Sequence, residues 1–237
     1  MIKLLGTLIY YRILTYLRTK QAVFFTVAFP IFMFIIMSSI WGRAYDGYIA
    51  FVLSGVICMT IASDGMFAVG TIIKNYYITG YIKYIKKFPI NIAVFFMGTI
   101  IAKIINLSVI TLFLRLIASF FFNYKLTAID LLHSFIGIIT GLIVFSFIGL
   151  VITFSNIKYV SEKGAINIVY FILLFTSDAF YPIGEFNQTI KHIGDLLPFN
   201  QMLNLLRYGE FNVMLLFWII IPIIIFTLLF NSTQSFR

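Results

Sequence analysis

Charge is scarce in this chain, and negative charge scarcest: eight Asp and Glu stand against 17 Lys and Arg in 237 residues, so that only 11% of positions are charged. A soluble domain carries about 25% charged and about 45–50% apolar residues. Here 62% are hydrophobic and the mean hydropathy is +1.05, which excludes water as the main solvent. The surplus is bulky, with 28 Phe and 14 Tyr, side chains that aggregate when exposed to water. Lipid is the solvent that fits.

Other absences narrow the chemistry. One cysteine, Cys58 inside an apolar run, excludes a structural disulfide within the chain, and His133 and His192 are far apart and lack metal-ligand spacing. No G-x-x-x-x-G-K-[ST] occurs, so the phosphate cradle of a P-loop ATPase is missing. A membrane-embedded protease or transferase would need paired carboxylates, a His-Glu-x-x-His site, or an activated Ser or Cys near a base. None is present, and Asp64, Asp178 and Asp195 are scattered. The sequence also lacks a signal-peptide pattern at its start. Lys3, Arg12, Arg18 and Lys20 spread over the first stretch, the following apolar run is about twice a usual signal core, and no A-x-A site follows, so that run is expected to be retained. The net charge of +9 does not indicate nucleic acid, because the cations lie between apolar runs rather than on one soluble face.

What is present is a series of long apolar runs. A helix needs about 20 apolar residues to cross a hydrocarbon core of about 30 Å. Six runs qualify: 22–41, 48–73, 90–124, 131–154, 164–181 and 213–230. The third is too long for one perpendicular crossing and must tilt, break or project. The sixth contains Pro222, tolerated in membranes where neighbours satisfy the freed carbonyl. The expected fold is an all-α polytopic membrane protein, a single transmembrane domain over 1–237. It comprises six spans, an interfacial helix over 1–20, a cytosolic basic segment over 74–91 and a pair of short outer helices over 182–212.

The cations orient it. Lys3, Arg12, Arg18, Lys20, Lys74, Lys83, Lys86, Lys87, Lys158, Lys163 and Arg237 fall on the side of the N-terminus, against Arg43, Lys125, Lys191 and Arg207 on the other; Lys103 and Arg115 lie within the third run. The positive-inside rule then places both termini in the cytosol. Residues 1–20 alternate apolar side chains with Arg12, Arg18 and Lys20, a pattern for lying flat in the headgroup boundary, where each cation contributes about 1 kcal/mol. Residues 74–91, KNYYITGYIKYIKKFPIN, are amphipathic and end near Pro89. This segment reads either as a stiff element that transmits motion from a partner or as a basic lipid-apposed loop that fixes topology, and both roles can coexist. Residues 182–212 read as two short, shallow helices meeting at Leu197 and Pro198, too polar to span.

Two charges lie inside spans. Asp64 is ten residues before Lys74, and Lys103 eleven after Ile92, which sets both roughly 15–17 Å from the cytosolic mouth on antiparallel neighbours. A lone Asp or Lys at a helix centre costs about 2.5–3.5 kcal/mol, so each is expected to have a partner, and Asp64 with Lys103 is the candidate pair. The alternative sets Asp64 against a watery pathway while Lys103 snorkels to the boundary. Arg115 is a rival partner nearer the outer leaflet.

The order of these parts resembles the ABC-2 type permease family, the membrane subunits of certain bacterial ABC exporters, over essentially the whole chain. Lys74, Thr79, Gly80, Lys83, Lys86, Lys87 and Pro89 fit the style of the family's coupling segment, and Gly98 and Lys103 its early third span. Tyr181 with Pro182, Leu197 with Pro198, and Arg207 fit its outer re-entrant pair; Phe186, where many members carry proline, departs from it. The resemblance implies a permease subunit of an ATP-driven exporter in the bacterial plasma membrane. It implies a separate ABC-type ATPase that holds ATP and Mg, no cofactor in this chain, and a second permease copy, identical or similar. Membrane lipids, and not nucleic acid, are the other expected partners. A non-transporting immunity or scaffold protein that binds a peptide or lipid would keep the spans but need no coupling segment.

Overall fold

In lipid, backbone N–H and C=O groups must pair within their own segment, so apolar runs of this length fold as helices. The computed structural model describes residues 2–42, 47–80, 83, 87, 92–155 and 161–234, and all regular elements there are helical. In chain order they are α1 (Ile2–Arg18), α2 (Lys20–Val23), a π segment (Phe24–Ala28), α3 (Phe29–Trp41), α4 (Tyr48–Ser63) and a second π segment (Asp64–Val69). There follow α5 (Gly70–Ile78), α6 (Ile92–Phe122), α7 (Ala128–Phe154), α8 (Glu162–Phe175), a 3₁₀ turn (Ile183–Glu185), α9 (Gln188–Leu196), α10 (Pro198–Tyr208) and α11 (Val213–Gln234).

Among the described residues, five stretches are long and apolar enough to cross a membrane: Phe24–Trp41, Tyr48–Tyr76, Val94–Phe122, Ala128–Phe154 and Val213–Asn231. The fifth apolar run of the sequence is not among them. Its helix, α8, has 14 residues, about 21 Å at 1.5 Å per residue. Thr176, Ser177 and Asp178 end it: the Thr176 hydroxyl donates to the Ile172 carbonyl at 2.7 Å and the Ser177 hydroxyl to Leu174 at 2.7 Å. Short polar side chains compete for backbone groups and favour turns, an effect that an apolar count over 164–181 passes over. The third run neither breaks nor kinks. It is one 31-residue helix, α6, whose opening turns are flanked by α1, with Leu8 packed beside Gly98.

The core forms where α4 and its π segment cross α7. Between helices in lipid the apolar driving force is weak, and close approach through small residues supplies van der Waals contact instead. Gly149 shows it: a Cβ there would lie 2.6 Å from the Met66 carbonyl oxygen. The Tyr48–Tyr76 span is largely buried, whereas α11 is largely exposed and presents its apolar residues outward.

Residues 182–212 form two short helices that meet at Leu197 and Pro198, and the two differ in burial. The Leu197–Pro198 turn redirects the chain, so that α9 stays exposed while Phe199, Met202, Leu203 and Leu206 of α10 join the central core. A helix with Asn200 and Gln201 can be buried because those amides are bonded: Asn200 accepts from the Asp178 amide at 2.9 Å and donates to Asp195 at 3.0 Å, and Gln201 donates to the Asp195 carbonyl.

Candidate functional site

A groove of about 1590 Å³ runs along one face of the bundle, walled by α3, by α4 with its π segment, and by α8. Along α4 it extends from Tyr48 to Asp64, about 24 Å by helix rise. Its middle and one end are aromatic and thioether-rich, with Phe29, Met33, Trp41, Tyr170, Phe171 and Phe186; the other end is polar, with Thr60, Ser63, Asp64, Lys103, Lys163 and Asn167. Among the described residues, α7 and α11 contribute none to the lining.

Asp64 opens the π segment directly after α4, and the same stretch packs Met66 against α7 at Gly149. The wider turn leaves Asp64 facing the groove and α6. Lys103 Nζ lies 2.6 Å from Asp64 Oδ1, with the carboxylate side chain 6% and the lysine 15% exposed. The ammonium also stands 5.6 Å from the centre of the Tyr16 ring. This pair joins α4, α6 and α1 at the polar end of the groove. Arg115, twelve residues along α6 from Lys103, belongs to a different cluster with Ser134 and Tyr124.

Of the candidate coupling residues, Lys74 is held inward: its ammonium donates to the Thr153 carbonyl at 2.6 Å and pairs with Glu162, tying α5 to the end of α7 and the start of α8. Thr79 donates to the Asn75 carbonyl at 2.6 Å, and Gly80 ends the helix at φ +70°, a left-handed backbone that other residues rarely adopt. Lys83 and Lys87 are exposed. Lys86 and Pro89 lie outside the described residues. Where α5 leaves the bundle, the Arg12 guanidinium of α1 stands 5.6 Å from the Tyr76 ring and 4.7 Å from Phe95 of α6, so three elements meet on one cation.

The far end is a hydrogen-bonded network. Pro182 precedes the 3₁₀ turn, Leu197 caps both α9 and α10, and Pro198 begins α10. Arg207 lies with its guanidinium 3.8 Å from the Phe51 ring centre. It donates through Nε to Ser54 at 2.7 Å and through Nη2 to the carbonyls of Phe51 and Asp178 at 3.1 and 2.7 Å. Burial lowers its pKa to about 10, still charged at neutral pH. The sequence pattern does not single out Asp178, yet it organises this end: its carboxylate accepts from the Ile183 amide at 3.0 Å and binds Lys191, which also reaches Asp195 at 2.8 Å. Burial works against the Lys191 charge, but hydrogen bonds and attraction from the two aspartates outweigh it and raise the pKa. The one local signal is the i, i+4 spacing of Lys191 and Asp195.

The sequence model of the ABC-2 type transporter family matches residues 3–211, spanning α1 through α10. No curated protein matches the chain.

Proposed function

Because the chain belongs to the ABC-2 type transporter family, as a permease component and not itself an ATPase, we propose that it is the membrane subunit of an ATP-driven exporter and that its groove is half of the substrate pathway. The observation that carries this reading is the groove itself: a trough along α3, α4 and α8 with one side open, which a second permease copy facing it would close. In this reading the chain crosses six times, with α8 and the turn after it completing the fifth crossing. Both termini and residues 74–91 lie in the cytosol of a bacterial cell, and α9 and α10 return from the outer surface without crossing.

A separate P-loop ATPase docks on residues 74–91, where Lys83 and Lys87 are exposed. Its closure pulls on α5, and the Lys74–Glu162 and Arg12–Tyr76–Phe95 contacts carry that displacement to α7, α8, α1 and α6. The Asp64–Lys103 pair, at the π segment where α4 meets α5, is the joint that such a displacement strains first.

The experiment is reconstitution with and without a separate ABC-type ATPase that co-purifies with this chain. ATP-dependent export is expected only with both proteins. Gly80→Val, which forces a β-branched residue into a left-handed backbone, is expected to weaken it while leaving membrane insertion intact. Full transport by this chain alone contradicts the proposal. Normal coupling in Gly80→Val removes residues 74–91 from the mechanism.

A further inference from the structure

A second, smaller cleft of about 250 Å³ lies at the Arg207 end, bounded by Ala50, Ser54, Arg115, Tyr124, Asp130 and Arg207. Phe51 lines both this cleft and the groove, so the two are neighbours across one ring. Two guanidiniums face a single carboxylate among the described residues here, and that carboxylate is shared between Arg115 and the first turn of α7. Asp130 Oδ2 accepts from the Thr127 amide at 3.0 Å and its hydroxyl at 2.8 Å, closing the first turn of α7, and Oδ1 stands 3.9 Å from Arg115. Arg115, 3% exposed, satisfies Nε and Nη2 on the Ser134 hydroxyl at 3.0 and 2.6 Å and offers Nη1 to the Tyr124 hydroxyl at 3.3 Å.

Arg207 is the less satisfied of the two. Its partners are a hydroxyl and two carbonyls, no carboxylate among the described residues lies within ion-pair distance, and Nη1 makes no hydrogen bond to any of them. Beside it α4 begins at Gly47 without a side-chain cap, its first amides carrying the positive end of the helix dipole, and Gly47 and Ala50 are part of the cleft wall. A buried positive surplus of this kind is costly unless an anion neutralises it.

We propose that this cleft binds the phosphate group of an anionic ligand, either a phospholipid headgroup or free phosphate. Arg207 with its open Nη1, Arg115 beside Tyr124 and the uncapped start of α4 all belong to the wall of one cleft, and guanidinium forks suit phosphate oxygens. The start of α4, the end of α6 and the start of α7 converge there. These are span ends, the depth at which headgroups sit.

The test uses the full chain purified in detergent. Thermal stability and native mass spectrometry are followed with phosphatidylglycerol against diacylglycerol, and with inorganic phosphate against chloride at equal ionic strength. Phosphatidylglycerol is expected to stabilise and to remain bound where diacylglycerol does not; a matching response to inorganic phosphate identifies the free ion as sufficient, and its absence identifies the headgroup as the source. Ala50→Glu places a carboxylate at an exposed position of the wall, and is expected to weaken the response by about tenfold or more, the worth of one charge-assisted hydrogen bond, with helicity unchanged. Arg207→Gln serves as a second variant with the same expected loss. The proposal is overturned if neither phosphate-bearing probe acts beyond its control on the native chain, or if folded Ala50→Glu responds as the native chain does.

Discussion

At the Asp64 end of the groove one lysine meets one aspartate across 2.6 Å, where a π segment interrupts the α4–α5 rod. At the other end Asp178, Lys191, Asp195 and Asn200 hold α8, α9 and α10 together through shared hydrogen bonds, and Arg207 adds α4. Both regions pair charged side chains, but they do so differently. A one-to-one pair has two states, made and broken, and suits a joint that moves. A network in which each group has several partners loses little when one contact is strained, and suits a fixed frame. On the proposed reading, the π segment is the part that moves and the helical pair the part that stays fixed.

The largest effect that tests this contrast is expected at the pair. Asp64→Asn or Lys103→Met alone leaves a buried charge without its partner, a loss of about 3–5 kcal/mol in folded stability. The double variant is expected to recover much of that loss in detergent yield and melting temperature while remaining defective in transport. Losses that simply add would dissolve the pair as an energetic unit.

Gly149→Ala comes next. The new methyl would stand 2.6 Å from the Met66 carbonyl oxygen, so α7 must move away from the π segment, at about 1–3 kcal/mol. A melting temperature unchanged from the native chain would show that the π segment is not clamped there. Asp178→Asn is expected to cost less, about 1–2 kcal/mol, because Asn200, Asp195 and Arg207 still hold the neighbouring elements; urea or thermal unfolding in detergent measures it. A loss as large as at Asp64 would erase the distinction between joint and frame.

The smallest effect is in pH. The folded-state pKa of Lys191 is raised above its ordinary 10.5, so its contribution is fully present below that value and is lost as pH rises through the folded one. Melting temperature is therefore expected to show no loss from this network between about pH 6 and 9 and to fall only above the ordinary lysine range. Asp195→Asn, which removes one of the two partners, should bring that fall to lower pH.

Much of the architecture is legible in the sequence because lipid imposes a simple rule: apolar runs of sufficient length must be helices, and residues can be placed in depth by counting from the charges that bound them. Counting is how Asp64 and Lys103 come to the same level, where the structure sets them 2.6 Å apart. It does not reach features that depend on local competition for backbone groups. The π segment after Ser63 has no compositional mark beyond Asp64 and its neighbouring glycine. The end of α8 turns on two hydroxyls and Asp178 within a run that counts as apolar. The burial of α10 escapes for a related reason: Asn200 and Gln201 make the segment look superficial, and their partners, Asp178 and Asp195, are set by the tertiary fold. The inward tie of Lys74 to Thr153 and Glu162 is long-range in the same sense.

If the groove faces a second permease, as proposed, site-directed cross-linking in native membranes will join the two copies across it. In a Cys58→Ala background, single cysteines at Met33 and Phe171 on the groove and at Leu228 on the outward face of α11 would be treated with a short bifunctional maleimide. The facing arrangement predicts a covalent adduct at about twice the mass of one permease from the groove positions, and none from Leu228. An adduct from Leu228 together with unreacted monomer from both groove positions would contradict it.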